Sequence, residues 1–470
     1  MKEEIAVEST SGIAKKSNKT PDIFNGPIAA TTLKLSTPLI ISQILVIAYT
    51  FTNMLFITMV DRQSTATVSG IGLVLPLYMC VDSLAAGLYM GVNSLIAKGI
   101  GENNKEIINK TAKTGLAISI GLSLIICIIG YAFGRPIIEF LAGSEITPEA
   151  IEYGIEYLKF LLPGMAALLI SYVFAGMLQG EGLTKYIGLS VFISAIINII
   201  LDPVLIFVFK MGVKGAAIAT SITFISSVAY YIFLFVTKKT TIPVKWNIFK
   251  ASGKLVKEIC RVGIPASIGL LSLNIAMIVL NNVVGSISQQ AMNSWVLVSR
   301  VDQILLIPAG AIGGSTITMI GQNFARRNFS RVNKIFRVNI LVSVGVCAFL
   351  SILYFILSPQ IFGIFSDRQE VISGCVRQVR LLTFTTVFVA GSMVVSSSFQ
   401  GIRKPLPDLT IVTLRTLFGY ILVSMLLVYV ADMKLNGIFI GIGVGNVLSF
   451  ALAYFWGGSV LKKVSKDNPA

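Results

Sequence analysis

The stretch NIILDPVLIFVFKMGVKGAAIAT (Asn198 to Thr220) contains two apolar runs joined by the polar turn KMGVKG. Each run continues outward until it is long enough to cross the hydrocarbon core of a bilayer, which takes about 20 apolar residues in a helix. Such runs recur along nearly the whole chain of 470 residues, which is 54% hydrophobic and 13% charged. The sequence therefore predicts an all-α, polytopic membrane protein, because helices satisfy their own backbone hydrogen bonds in lipid.

Twelve of these runs are predicted to span the membrane. They lie at residues 34–59, 69–97, 114–133, 154–177, 185–209, 215–236, 262–285, 294–320, 338–357, 377–399, 409–431 and 437–461. The domain organisation that follows is a polar N-terminal tail (1–33), a first lobe (34–237), a basic linker (238–261), a second lobe (262–461) and a C-terminal tail (462–470).

The net charge of +16 comes from basic residues that cluster on one predicted side of the membrane. The densest clusters, Lys238 to Arg261 and Arg326 to Arg337, fall in loops on the same side as both termini. This bias is typical of cytoplasmic loops, so we expect both termini in the cytoplasm, a cell-membrane location, and no nucleic-acid partner. The five cysteines have no metal-ligand or disulfide spacing.

The second half of the chain repeats the first. FAGMLQGEGLTKY (Phe174 to Tyr186) aligns with SSFQGIRKP (Ser397 to Pro405), and KMGVKGAAI (Lys210 to Ile218) aligns with DMKLNGIFI (Asp432 to Ile440). Each half has an even number of spans, so we expect two six-helix bundles related by a pseudo-two-fold axis along the membrane normal. Substrate would bind between the bundles, and their rocking would give alternating access.

Buried acid is the remaining source of energy coupling, because the chain has neither a phosphate-binding G-x-x-x-x-G-K-[ST] loop nor any histidine. Asp202 follows Asn198 by four residues, which puts both on one helical face, and Thr220 and Asn53 are predicted to lie at the same depth. Their oxygen atoms suit a small cation such as Na⁺ (at Asn198, Asp202 and Thr220), while Asp202 could instead carry a proton. The alternative is that Asp202 only caps a break at Pro203.

Asp82 is the other acid of interest, because it is predicted to lie near the middle of the membrane. It either attracts a cationic substrate in the cleft between the lobes or hydrogen-bonds to a neighbouring helix. Further predicted cleft residues are Tyr49, Met54, Tyr78, Met79, Met90 and Phe399.

These features resemble the multidrug and toxic compound extrusion (MATE) family, prokaryotic branch. The resemblance rests on Pro38, which would bend the first helix, on GVNSLIAKGIGENN (Gly91 to Asn104), on LQGEGLTKY, and on the stretch Asn198 to Thr220. It implies a secondary active exporter of amphipathic, often cationic organic compounds, driven by antiport of Na⁺ or H⁺. In the family, the cation site consists of a first-helix aspartate and the residues that correspond to Asn198, Asp202 and Thr220.

The first-helix position departs from that pattern, because it holds Asn53, which ligates a cation but does not titrate. Sodium is therefore slightly favoured over the proton. A lipid-linked precursor flippase and, more remotely, a membrane-embedded enzyme are the alternatives, and we expect a monomer without a cofactor.

Overall fold

The structure is a computed structural model that describes residues 21–60, 66–142, 146–242, 252–365 and 368–467. Twelve helices in these ranges are long and apolar enough to cross a membrane. They are α1 (Ile28–Val60), α2 (Ala66–Gly101), α3 (Lys105–Ala142), α4 (Pro148–Glu181), α5 (Thr184–Val208), α6 (Gly212–Val236), α7 (Gly253–Ile287), α8 (Gln289–Ala325), α9 (Phe329–Phe365), α10 (Gln369–Gly401), α11 (Leu406–Tyr429) and α12 (Lys434–Asp467). The prediction of an all-α protein with twelve spans is confirmed.

The helices extend well beyond the predicted spans. α3 runs from Lys105 to Ala142 rather than over 114–133, α1 begins inside the predicted tail, and α7 begins inside the predicted linker. Hydropathy detects only the section of a helix that faces lipid, whereas the helical hydrogen-bond ladder continues through polar turns at either end. Residues 1–20 and 468–470 of the two tails and residues 243–251 of the linker lie outside the described residues.

The packing partners in the second half repeat those in the first. In the first half α2 packs on α4, α4 on α6, and α1 on α5; in the second half α8 packs on α10, α10 on α12, and α7 on α11. The alignment of the two half-sequences therefore corresponds to one arrangement of six helices that is used twice.

Proline changes α5 without ending it. The helix is α-helical as far as Pro203 and continues as a wider π-turn over Val204–Val208. Proline has no N–H for the normal i→i−4 bond, and π-turns in helices are frequent at functional sites. The break predicted after Asp202 is thus a change of helical pitch. In α1, Pro38 also lies within a continuous helix, and the bend predicted there stays a prediction.

The two halves are joined by hydrogen bonds at the end of the molecule where α1 begins and where α2, α4 and α8 end. Side chains supply at least one partner in each of these bonds, which are Thr32 to Asn339 (2.7 Å), Ser94 to the Gln400 carbonyl (2.7 Å), Thr318 to the Gln179 carbonyl (2.8 Å) and Gln322 to the Gly180 carbonyl (2.8 Å). Further along, α2 and α7 approach so closely that a Cβ on Gly87 would collide with the Gly263 carbonyl. We call the region that contains the four hydrogen bonds the joined end.

Candidate cation site and cleft

Asp202 and Asn198 lie one turn apart on α5, and both side chains are buried. Asp202 is 0% exposed and Asn198 is 1% exposed. The four-residue spacing places them on one face of the helix, immediately before the π-turn. An ionisable group inside a membrane span carries a high desolvation cost, so it is usually functional or paired.

Each of the four residues predicted to bind a cation has at least one buried polar atom without a hydrogen-bond partner in the protein. The six atoms concerned are Oδ1 of Asn53, both side-chain heteroatoms of Asn198, both carboxylate oxygens of Asp202 and Oγ1 of Thr220. Most buried polar atoms in proteins are hydrogen-bonded. Four of the six atoms belong to Asn198 and Asp202, one turn apart on α5, where they are available to bind a ligand.

Aromatic side chains of α1 and α4 lie near this part of α5 and α6. Phe56 of α1 packs edge-on against Phe207 of the π-turn, with ring centroids 6.1 Å apart. Tyr157 of α4 lies beside Thr220 and within electrostatic range of Asp202, and Tyr49 of α1 is also within range of Asp202. We use the name cation pocket for the four predicted residues, which lie on α1, α5 and α6.

The donor atoms of the cation pocket suit a small monovalent ion. A carboxylate, two amides and a hydroxyl offer hard oxygen ligands, and the carboxylate of Asp202 is the negative group among the four residues. Among the described residues, no three His, Cys, Asp or Glu side chains form a group that could hold a metal ion. One carboxylate among the four residues balances the charge of one monovalent cation.

Asp82 bonds to a neighbouring helix and is also partly exposed. The Tyr172 hydroxyl of α4 donates a hydrogen bond of 2.8 Å to Asp82 Oδ1. Tyr49 and Tyr78 lie within electrostatic range of the same carboxylate. Tyr172 was not predicted from the sequence, because a contact between α2 and α4 leaves no spacing signal in the chain.

The other predicted cleft residues do not form one group. Tyr49, Tyr78 and Met90 are partly exposed and Met79 is 44% exposed. Phe399 is 1% exposed and packs against Trp456 inside the second half, with ring centroids 6.3 Å apart. The structure therefore does not bring Phe399 to the cleft residues, and the side chain of Met54 lies outside the described part of the chain.

The positions of the second half that align with Asn198 and Asp202 have partners. Tyr420 donates a 2.7 Å hydrogen bond to Asn446, and the Ser424 hydroxyl lies 3.4 Å from the carbonyl oxygens of Gly419 and Ile438. The repeat therefore reproduces the helices of the cation pocket without reproducing its unpaired atoms.

The second half has a different buried acid, which the sequence analysis did not identify. Asp408 is 4% exposed and accepts a 2.7 Å hydrogen bond from Gln400, and Arg415 is buried nearby on α11. Asp408 lies at the edge of the predicted span 409–431, where it resembled a loop residue. The pairing of Asp408 indicates a structural role.

The sequence model of the MatE family matches the chain twice, at residues 38–204 and 265–430. The chain is 24% identical to "Probable multidrug resistance protein YoeA" of Bacillus subtilis over 83% of this chain and 85% of that protein. It is also 24% identical to "Probable multidrug resistance protein NorM" of Thermotoga maritima over 87% of this chain and 88% of that protein.

A solved structure described as the outward-facing conformation of a multidrug resistance MATE family transporter superposes with a TM-score of 0.89 and 25% identity, over 96% of this chain and 100% of that one. The twelve-helix fold of this chain is thus that of known membrane transporters. Since the family model matches most of the sequence and both of its halves, the chain belongs to the MatE family of membrane transporters.

Proposed function

We propose that this protein is a secondary active exporter that exchanges amphipathic, often cationic organic compounds for Na⁺ or H⁺. Relatives named as multidrug resistance proteins support the export of such compounds. We further propose that it acts as a monomer in the cytoplasmic membrane with both termini in the cytoplasm, in accord with the distribution of its basic residues. The first-half lobe (34–237) and the second-half lobe (262–461) would be the moving bodies.

The observation that carries the proposal is the set of six unpaired buried atoms around the single carboxylate of the cation pocket. A buried polar atom without a partner costs about 1–3 kcal/mol. An ion that coordinates several of these oxygens removes that cost. Binding of a cation or a proton therefore lowers the free energy of the pocket.

Ion binding drives transport only if the ion has different affinities for two arrangements of the lobes. The joined end supplies one arrangement, because its hydrogen bonds close one side of the molecule. The π-turn after Asp202 supplies a segment whose pitch differs from the rest of α5. We propose that occupation of the cation pocket adjusts this segment and with it the packing of α5 against α1.

Sodium is slightly favoured over the proton, because Asn53 stands where the family has a first-helix aspartate. The cation pocket then holds one titratable group, Asp202, and the Asn53 amide oxygen remains available as a ligand. The acid at Asp82 in the cleft would repel a pyrophosphate group, which disfavours export of a lipid-linked pyrophosphate.

The proposal is tested by compound efflux from proteoliposomes with independently imposed Na⁺ and pH gradients. Efflux by the parent protein should depend on one of the gradients, and Asp202→Asn should abolish that dependence. Ser424→Ala is the matched control, because Ser424 occupies the aligned position in the second half. Full gradient-dependent efflux by Asp202→Asn would rule out the assigned role of the pocket.

A further inference from the structure

We propose that Asp82 and the tyrosines around it form a cage that binds the positively charged centre of the exported compound. The cage consists of Asp82 with Tyr49, Tyr78, Tyr89 and Tyr172. This inference rests on the proposed function, since it assigns a substrate class and a binding site to an exporter.

One face of α2 supplies three of the five residues. Tyr78, Asp82 and Tyr89 are separated by four and seven residues, so at 3.6 residues per turn they lie along one stripe of the helix. The carboxylate is thus flanked by a phenol ring on each side along the helix axis.

A neighbouring helix fixes the carboxylate within this stripe. The Tyr172 hydroxyl of α4 donates a 2.8 Å hydrogen bond to Asp82 Oδ1. The Tyr172 ring also packs edge-on against Tyr89, with centroids 6.3 Å apart and an interplanar angle of 76°. The hydrogen bond and the ring contact together hold Asp82, Tyr89 and Tyr172 in one arrangement.

The cage is accessible. Asp82 and all four tyrosines are partly exposed, in contrast to the fully buried Asp202. These five side chains can therefore be reached from outside the helices.

The chemistry of the cage suits an organic cation better than a metal ion. The faces of phenol rings attract a cation, and the attraction is strongest when the cation is desolvated. One carboxylate adds the charge that distinguishes a cation from a neutral molecule of the same shape. Na⁺ would have to exchange its hydration shell for aromatic surface, whereas the cation pocket offers it oxygen ligands.

Tyr49 connects the cage to the cation pocket, because it lies within electrostatic range of both Asp82 and Asp202. Two cations bound at these neighbouring sites repel each other through a medium of low effective dielectric constant. Binding of the compound therefore weakens binding of the coupling ion, and the converse holds by linkage. This antagonism is what an exchanger requires.

The test uses the full chain in lipid nanodiscs and two probes that share three phenyl rings on phosphorus. Tetraphenylphosphonium is permanently charged and triphenylphosphine oxide is neutral. Asp82→Asn should weaken tetraphenylphosphonium binding about tenfold or more and leave binding of the neutral probe within about twofold, the size expected when a charge partner in a desolvated site is lost. Asp302→Asn, which also removes a single acid from a membrane span, should change neither affinity.

Two measurements keep the outcome interpretable. Tyr172→Leu should also weaken binding of the charged probe selectively, and Asp82→Asn should retain any stabilisation of the protein by Na⁺, which shows that the cation pocket is folded.

Unchanged tetraphenylphosphonium affinity in Asp82→Asn, or no binding to the parent protein, would overturn the cage. An equal loss of both probes would overturn it too, by showing general damage to the cleft. The export function is tested separately. If the parent protein shows ion-driven export, the proposed function holds even when the cage is overturned, whereas the absence of ion-driven export would rule that function out.

Discussion

Replacing Asp202 with leucine should make the protein more stable and unable to respond to its coupling ion. Asp202 is 0% exposed and both of its carboxylate oxygens lack partners. Leucine has a similar size and no polar atoms. Since each unsatisfied buried polar group costs about 1–3 kcal/mol, Asp202→Leu should raise the free energy of unfolding by about 2 kcal/mol or more when no ion is bound.

The same substitution should remove the stabilisation that the ion gives. A ligand that binds only the folded state stabilises it by RT ln(1 + [L]/Kd), which is about 2.7 kcal/mol at 100 times the Kd. Thermal unfolding of the protein in nanodiscs can be followed through its 3 tryptophans, with Na⁺ titrated against choline at constant ionic strength. The parent should unfold at a higher temperature as Na⁺ rises, and Asp202→Leu should not.

Ser424→Ala is the control, because Ser424 holds the aligned position in α11 and its hydroxyl already has carbonyl partners. This variant should keep the response to Na⁺. Lower stability of Asp202→Leu than of the parent without ion would contradict this prediction, because the carboxylate would then have partners in the folded protein. Retention of the response to Na⁺ by the leucine variant would also contradict it. A parent that responds to acidification and not to Na⁺ would identify the proton as the ion.

Two further substitutions test the pocket and the motion separately. Asn53→Asp restores a second carboxylate to the cation pocket, so efflux driven by a pH gradient should increase at least several-fold in vesicles; unchanged pH dependence would show that Asn53 lies outside the ion path. Gly87→Val places a side chain against the Gly263 carbonyl, so it should prevent closure of α2 on α7 and reduce transport more than tenfold, as seen in transport rates and in cross-linking between the two helices. Gly121→Val, at a glycine with no atom within 4 Å of its Cβ position, should transport normally, and equal rates for both valine variants would contradict the role of this contact.

The number of helices and the repeat could be predicted from the sequence because both depend on signals within the chain. Lipid requires long apolar helices, and the aligned turns at Met211 and Met433 fix the register of the two halves. The helix ends could not be predicted, since a helix such as α3 continues through polar residues that hydropathy excludes. The π-turn after Pro203 was likewise visible in the sequence only as a break.

The residues of one helix could be predicted as a group, whereas contacts between helices could not. The four-residue spacing placed Asn198 beside Asp202, and both are indeed buried on α5. Tyr157 and Tyr172 of α4 lie near Asp202 and Asp82 across helix interfaces, and no spacing in the chain encodes this proximity. Phe399 was predicted to line the cleft because it is an aromatic residue in a span. Such a residue suits a core as well as a cleft.

In the proposed exchange, the compound and the coupling ion move in opposite directions through one protein. Proteoliposomes with equal Na⁺ and equal pH on both sides, and an imposed gradient of tetraphenylphosphonium, test it directly with sodium and pH indicators inside. We expect the organic cation moving down its gradient to drive Na⁺ or H⁺ the other way, and we expect Asp202→Asn to abolish this ion flux. Movement of the compound through the parent protein without an opposing ion flux would show that the protein is not an exchanger.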